Sequence, residues 1–173
     1  AELIPSSIVN MPLNDAARAP GMLEVMRLAG YEAMQAALDD GAKIIPIIGM
    51  PQVTTNHPER YVDAIFEEVL KTFSKPDTLV TSLQDWRKGR RAEVQEVNGW
   101  VVDILKAHGK ASPMNQRVVE IAFEIESGKR EARPENATDL IAAYRQVCGL
   151  SDFTALPGDL ALVNRHTHWG AIA

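Results

Sequence analysis

Apolar residues recur three and four positions apart through most of this chain, and that rhythm constrains its fold more than any other feature. Met22, Val25, Met26, Ala29, Ala33, Met34, Ala37 and Leu38 form one such stripe, and Gly41 follows as a C-terminal stop. Asn56 to Pro58 opens a second helix, with Val62, Ile65, Phe66, Val69, Leu70 and Phe73 on one face. A third runs through Val94, Val97, Val101, Ile104 and Leu105 to a stop at Gly109. Pro113, favourable in a first turn, opens a fourth whose buried side is marked by Val118, Val119, Ala122, Phe123 and Ile125. Thr138 or Asp139 caps a last helix carrying Leu140, Ile141, Tyr144 and Val147, with Gly149 past its end. No run alternates convincingly in the manner of strands, so the pattern predicts five or six helices in an all-α domain.

Three segments fit the rhythm less well. Ala1 to Val9 suits either a helix end or a short strand, because Pro5 interrupts both. Lys43 to Pro51, KIIPIIGMP, has the β-branched residues of a strand, yet Pro46 argues for an extended connector. Asn98-Gly99 reads locally as a tight turn, while the apolar period continues across it without a phase break. An unbroken helix is expected there, with Gly99 permitting close approach of another backbone.

The 173 residues, 46% hydrophobic, suffice for one domain with a substantial core. A net charge of −5 and a pI near 5.4 argue against nucleic acid and anionic membrane surfaces as partners. No apolar run approaches the roughly 18 residues of a membrane span, and no signal peptide is visible. The single cysteine, Cys148, excludes an internal disulfide and lies on an apolar helical pattern, as a structural thiol would. These features point to a cytoplasmic protein. The chain enters on AELIPSSIV without an initiator methionine, which fits methionine removal or a piece of a longer chain.

Polar chemistry is densest between Thr78 and Trp100, TLVTSLQDWRKGRRAEVQEVNGW. Here Thr81 and Ser82, Gln84 and Asp85, the basic run Arg87, Lys88, Arg90 and Arg91, and Glu93 are flanked by apolar residues. The stretch reads as a helix broken near Gly89 and restarted near Ala92, with Glu93 in the new first turn, where the helix dipole favours a carboxylate. Capping alone accounts for the hydroxyls and the acid equally well.

The order Ser82-Leu83-Gln84-Asp85, Gly89-Arg90, Glu93 and Val97-Asn98-Gly99, then Gly109 and Pro113-Met114-Asn115, resembles the C-terminal domain of ketopantoate reductases. The likeness spans about Pro20 to Gly128 and needs no gap from Gln84 to Asn115. It implies an all-α, multi-helix domain of the 6-phosphogluconate dehydrogenase-like type, without the Rossmann domain, over residues 1–149. Residues 150–173 form a tail outside the likeness. It also places Asn98-Gly99 inside a helix. By the same resemblance the enzyme takes hydride from NADPH to a small 2-keto acid, ketopantoate, in pantothenate biosynthesis, and often forms a homodimer. Glu93 matches the family's active-site glutamate, which orients the catalytic lysine or the cofactor ribose. Thr81 stands where the family often has a serine that binds the substrate carboxylate, and Ser82 is the neighbouring alternative. Gln84 and Asp85 tie the two helices together.

The chain departs from the family in what it lacks. No GxGxxG follows a strand. Neither the family's catalytic lysine nor the asparagine one turn on is found in AELIPSSIV. NADP would then be bound mainly by a Rossmann domain absent from this chain. The alternative reading is a non-catalytic helical module for dimerisation or partner binding, and a third is a related dehydrogenase for another hydroxy or keto acid. The basic run is expected to be internally paired, and His166 and His168, with His57 and His108 distant in sequence, make a weak case for metal.

Overall fold

The computed structural model describes residues 1–47 and 57–150, and the regular structure within them is entirely helical. The fold is built around α3, Met22–Asp39, an 18-residue helix that runs unbroken through Gly30. Gly41 follows it in the left-handed region, with φ +87°. Before it come α1, Ile4–Ile8, and α2, Leu13–Arg18. Helix wins over strand at the start because Pro5 falls in the first turn, where its missing N–H costs no hydrogen bond.

Helix α4, Pro58–Glu68, packs along α3. A Cβ on Gly30 would lie 2.7 Å from both a Glu2 carboxylate oxygen and a Val62 methyl, so glycine here lets α4 and the chain start close onto α3. Tyr31 donates to Asp63 at 2.7 Å and Arg27 approaches the same carboxylate at 3.2 Å, tying the two helices. α4 continues as a π-helical turn, Val69–Phe73. The wider turn rotates its own residues out of α-helical phase. Phe73, expected on the buried face, is therefore 57% exposed. Residues 42–47 form no strand, and the rest of the KIIPIIGMP segment and Asn56 lie outside the described residues.

The second half holds α5, Thr81–Arg87, and α6, Trp100–Ala107, which is preceded by a π turn at Gln95–Gly99. The helix is thus continuous through Asn98-Gly99, as expected. The atoms nearest to a Cβ on Gly99 would be those of the Gln95 side-chain amide. Helix α7, Pro113–Glu126, and α8, Ala137–Val147, close the domain, a 3₁₀ turn at Pro134–Asn136 leading into α8. α8 starts at Ala137, so Thr138 and Asp139, the expected caps, lie inside its first turn. Its entry is held by Asn136, whose amide donates to the Ile8 and Glu131 carbonyls, while Asp139 pairs with Arg117 and Arg130. Phe123, placed on the buried side of α7 by its apolar character, lies about 180° around the helix from Met114 at 100° per residue, and is 65% exposed.

The main core joins Ile8, Met22, Val25, Ala29, Met114, Val118, Ile121 and Leu140. Each large side chain buried there contributes about 2 kcal/mol by removal from water. Smaller clusters form around Met26 and Phe66, and around Ala36, Val101 and Leu105.

Candidate functional site

Extended backbone at Val80 delivers the chain to Thr81, the first residue of α5. Thr81 is exposed, and its hydroxyl has no hydrogen-bond partner among the described residues. Ser82 turns inward and is buried, its Oγ sharing a hydrogen bond with Ser7 Oγ of α1. The two hydroxyls therefore part company: one staples α5 to α1 and the other faces outward.

Beyond Arg87 the helix stops at Gly89, which takes φ +68°. Arg90 folds back, its backbone N–H donating to the Asp85 carbonyl at 2.8 Å and its guanidinium to the Asp85 carboxylate at 2.6 Å. Asp85 thus holds the loop at the break without reaching the next helix, and Gln84 donates its amide to the Leu79 carbonyl at 2.8 Å, ahead of α5, so neither ties the two helices together as expected. Glu93 heads the next helical run, its carbonyl accepting the Val97 N–H at 3.0 Å. The Glu93 carboxylate is exposed and makes no hydrogen bond or ion pair with any described residue. Positions 81 and 93 thus stand at the heads of successive helices, the site where an anion is electrostatically welcome.

The basic run is mostly spent. Arg87 donates to Asn10 at 2.9 Å, Arg90 pairs with Asp85, and Arg91 donates to Glu96 at 2.7 Å. That last bond holds the Glu96 carboxyl below its ordinary pKa. Glu126, the last residue of α7, accepts the Trp86 indole N–H at 3.0 Å and the Ala92 backbone N–H at 2.9 Å. An open groove of about 590 Å³ lies alongside, lined by Trp86, Arg90, Val94, Phe123 and Ile125 among others. Neither Thr81 nor Glu93 lines it.

A second polar constellation is wholly internal. Glu32, fully buried in α3, accepts the Met114 and Asn115 backbone N–H groups at 2.9 and 2.8 Å, filling the role of a cap for α7. Asn115 donates its amide to Glu32 at 2.7 Å and to the Ala29 carbonyl at 3.0 Å, and Asn98 donates to Asn115 Oδ1 at 2.8 Å. Burial pushes Glu32 up to about 7, and the three N–H bonds pull against it. Sequence reasoning passed over Glu32. The signal was there, since it lies one turn from both Ala29 and Ala36 on the buried stripe.

Among the described residues no strand, glycine-rich turn and helix come together, so they do not fit a dinucleotide pyrophosphate. No group of three or more metal-ligating side chains occurs among them either. His57 is exposed beside Glu59, His108 is exposed, and His166 and His168 lie outside the described residues. Cys148 is half-buried, and burial pushes its thiol up, which suits a structural role better than a nucleophilic one. No described helix is long and apolar enough to cross a membrane.

Compared with protein families, residues 5–126 match the one described as ketopantoate reductase PanE/ApbA, C terminal. No curated protein and no solved structure matches the chain.

Proposed function

The chain belongs to the ketopantoate reductase family, carrying its C-terminal domain over residues 5–126, and from that premise we propose that it is the substrate-holding part of an NADPH-dependent oxidoreductase acting on a small 2-keto acid, ketopantoate being reduced to pantoate. The observation that carries this reading is the contrast within 81–93. Thr81 and Glu93 are exposed and unpartnered at two helix heads, whereas Ser82, Asp85, Arg87, Arg90 and Arg91 are spent on other protein groups. A hydroxyl at a helix head suits a substrate carboxylate, to which it donates with the helix dipole behind it. A free carboxylate nearby in sequence suits the orienting of a cationic proton donor. In this reading residues 1–149 are the helical domain, and the proton donor and the dinucleotide-binding fold come from outside the described residues. Ser82 holds α5 in place and leaves the substrate to Thr81.

A second reading, a helical module for dimerisation or partner binding, draws on a separate observation. Phe123, 65% exposed, lines the open groove together with Val94, Val119 and Ile125, an apolar surface that a partner could cover. One experiment separates the two: the intact mass of the protein as its native source makes it, followed by NADPH oxidation with ketopantoate. A species near twice this length that consumes NADPH supports the reductase. A species of the present 19.0 kDa without turnover supports the module.

A further inference from the structure

A carboxylate at a helix C-terminus opposes the helix dipole and is disfavoured there unless something else holds it. Glu126 is such a residue, the last of α7. Its Oε1 accepts two hydrogen bonds, from the Trp86 indole at 3.0 Å and the Ala92 backbone at 2.9 Å. Its Oε2 faces the Arg91 guanidinium at 4.0 Å. Trp86 is the penultimate residue of α5 and Ala92 is the last before Glu93, so a single oxygen spans both sides of the break. Backbone bonds from Lys88, Gly89 and Arg90 to the Asp85 and Trp86 carbonyls close the end of α5, but none of them extends to Ala92, whose N–H goes to Glu126 instead. Lys88, Gly89, Arg90 and Arg91 are all exposed, Gly89 has nothing within 4 Å of where a Cβ would sit, and the ion pairs of Arg90 and Arg91 are on the surface. Glu126 is itself an exposed residue, but its side chain is 20% exposed against 60% for that of Arg91.

We propose that Glu126 is a positioning residue for the site: by clamping Trp86 to Ala92 it sets where the Glu93 carboxylate is presented relative to Thr81. This rests on the reading of Thr81 and Glu93 given above, and it assigns the end of α7 a part in that site which its sequence position does not suggest. Glu126 touches neither substrate nor cofactor in this account. Its effect passes through the Ala92 amide, which leads directly into the backbone of Glu93 and, through the helix start, into the Val97 N–H to Glu93 carbonyl bond. Glutamine can accept both bonds through its side-chain oxygen, so Glu126→Gln should preserve the clamp while losing only the distant pairing with Arg91.

Two measurements test the proposal, and they fail independently. In the 173-residue chain, amide hydrogen exchange at Ala92 should accelerate about tenfold or more in Glu126→Ala, the loss expected for a hydrogen bond to a charged acceptor, while Val118 in the middle of α7 stays protected. Glu126→Gln should restore protection at Ala92. Unchanged exchange at Ala92 in Glu126→Ala overturns the clamp outright. In the protein as its native source makes it, with ketopantoate and NADPH, Glu126→Ala should lower kcat about tenfold with little change in KM, and should add nothing further in a Glu93→Ala background. Losses that multiply in the double variant, or an unchanged kcat, overturn the positioning role. Near-normal turnover in Glu93→Ala alone contradicts the reading of the site itself, and the exchange measurement then still decides whether Glu126 is the clamp.

Discussion

The family signature in this chain divides into two regions that the structure treats in opposite ways. Asn98 and Asn115 go inside, where with Glu32 they form an amide–amide–carboxylate chain joining α3, the π turn that leads into α6, and α7. Thr81 and Glu93 stay outside and unpartnered. Both sets are polar residues on helices, and in sequence nothing about their chemistry separates them. The difference lies in what each would lose. An internal polar group must be satisfied by the protein, because desolvation without a partner costs more than the bond returns. An exposed one is free to wait for a ligand.

Breaking the internal region should have the larger effect. Glu32→Ala leaves two backbone N–H groups and one of the two Asn115 amide hydrogens without an acceptor in the core, the other still reaching the Ala29 carbonyl, and should cost on the order of 3 kcal/mol of unfolding free energy in a denaturant titration. Its effect on substrate affinity, among molecules that remain folded, should be small. Next is Thr81→Val, which keeps the shape and removes the hydroxyl. It should raise KM for the keto acid about tenfold and leave stability nearly unchanged, since Thr81 has no partner to lose. A valine variant that binds substrate normally would move the carboxylate contact elsewhere.

The pH dependence sharpens the comparison further. Burial holds the folded Glu32 near 7, above its unfolded value of about 4.5, so between these values the folded state keeps a proton that the unfolded state has released. Stability should therefore decline as pH rises from about 4.5 through about 7, with the contribution fully present below that window. Glu32→Gln should make this part of the profile shallower and leave the share of Glu2, which burial also raises to about 7, and an equally steep profile in the variant would assign the titration to another group. The smallest effect is expected at Phe123. Phe123→Ser should change stability by no more than about 0.5 kcal/mol, because this ring lies away from the core.

Much of the fold was legible because helical periodicity and glycine stops act locally. The stripe from Met22 to Leu38 became α3 within a residue or two, and the break at Gly89 fell where its turn chemistry put it. Two phenylalanines were misplaced for different reasons. Phe73 has the right spacing for a regular helix, and only the π turn at Val69–Phe73 carries it out of phase. Phe123 looks buried by its hydrophobicity, yet its angle around α7 points it away from Met114 and Val118. The site was half legible. The residues of the 81–93 stretch were visible from their density and family likeness, but the separation of Thr81 from Ser82 depends on Ser7, 75 residues away in sequence. The same holds for Glu126, which is 34 residues from Ala92 and meets it only through the packing of α7.

The most direct test of the account is a paired measurement on Glu93→Ala, made in the protein as its native source produces it: unfolding free energy and ketopantoate-dependent NADPH oxidation. An exposed carboxylate with no protein partner should be dispensable for stability, within about 0.5 kcal/mol, and turnover should fall by about tenfold or more, as expected on losing a group that orients a proton donor. Normal turnover would contradict the account, and so would a loss of activity that tracks a loss of stability.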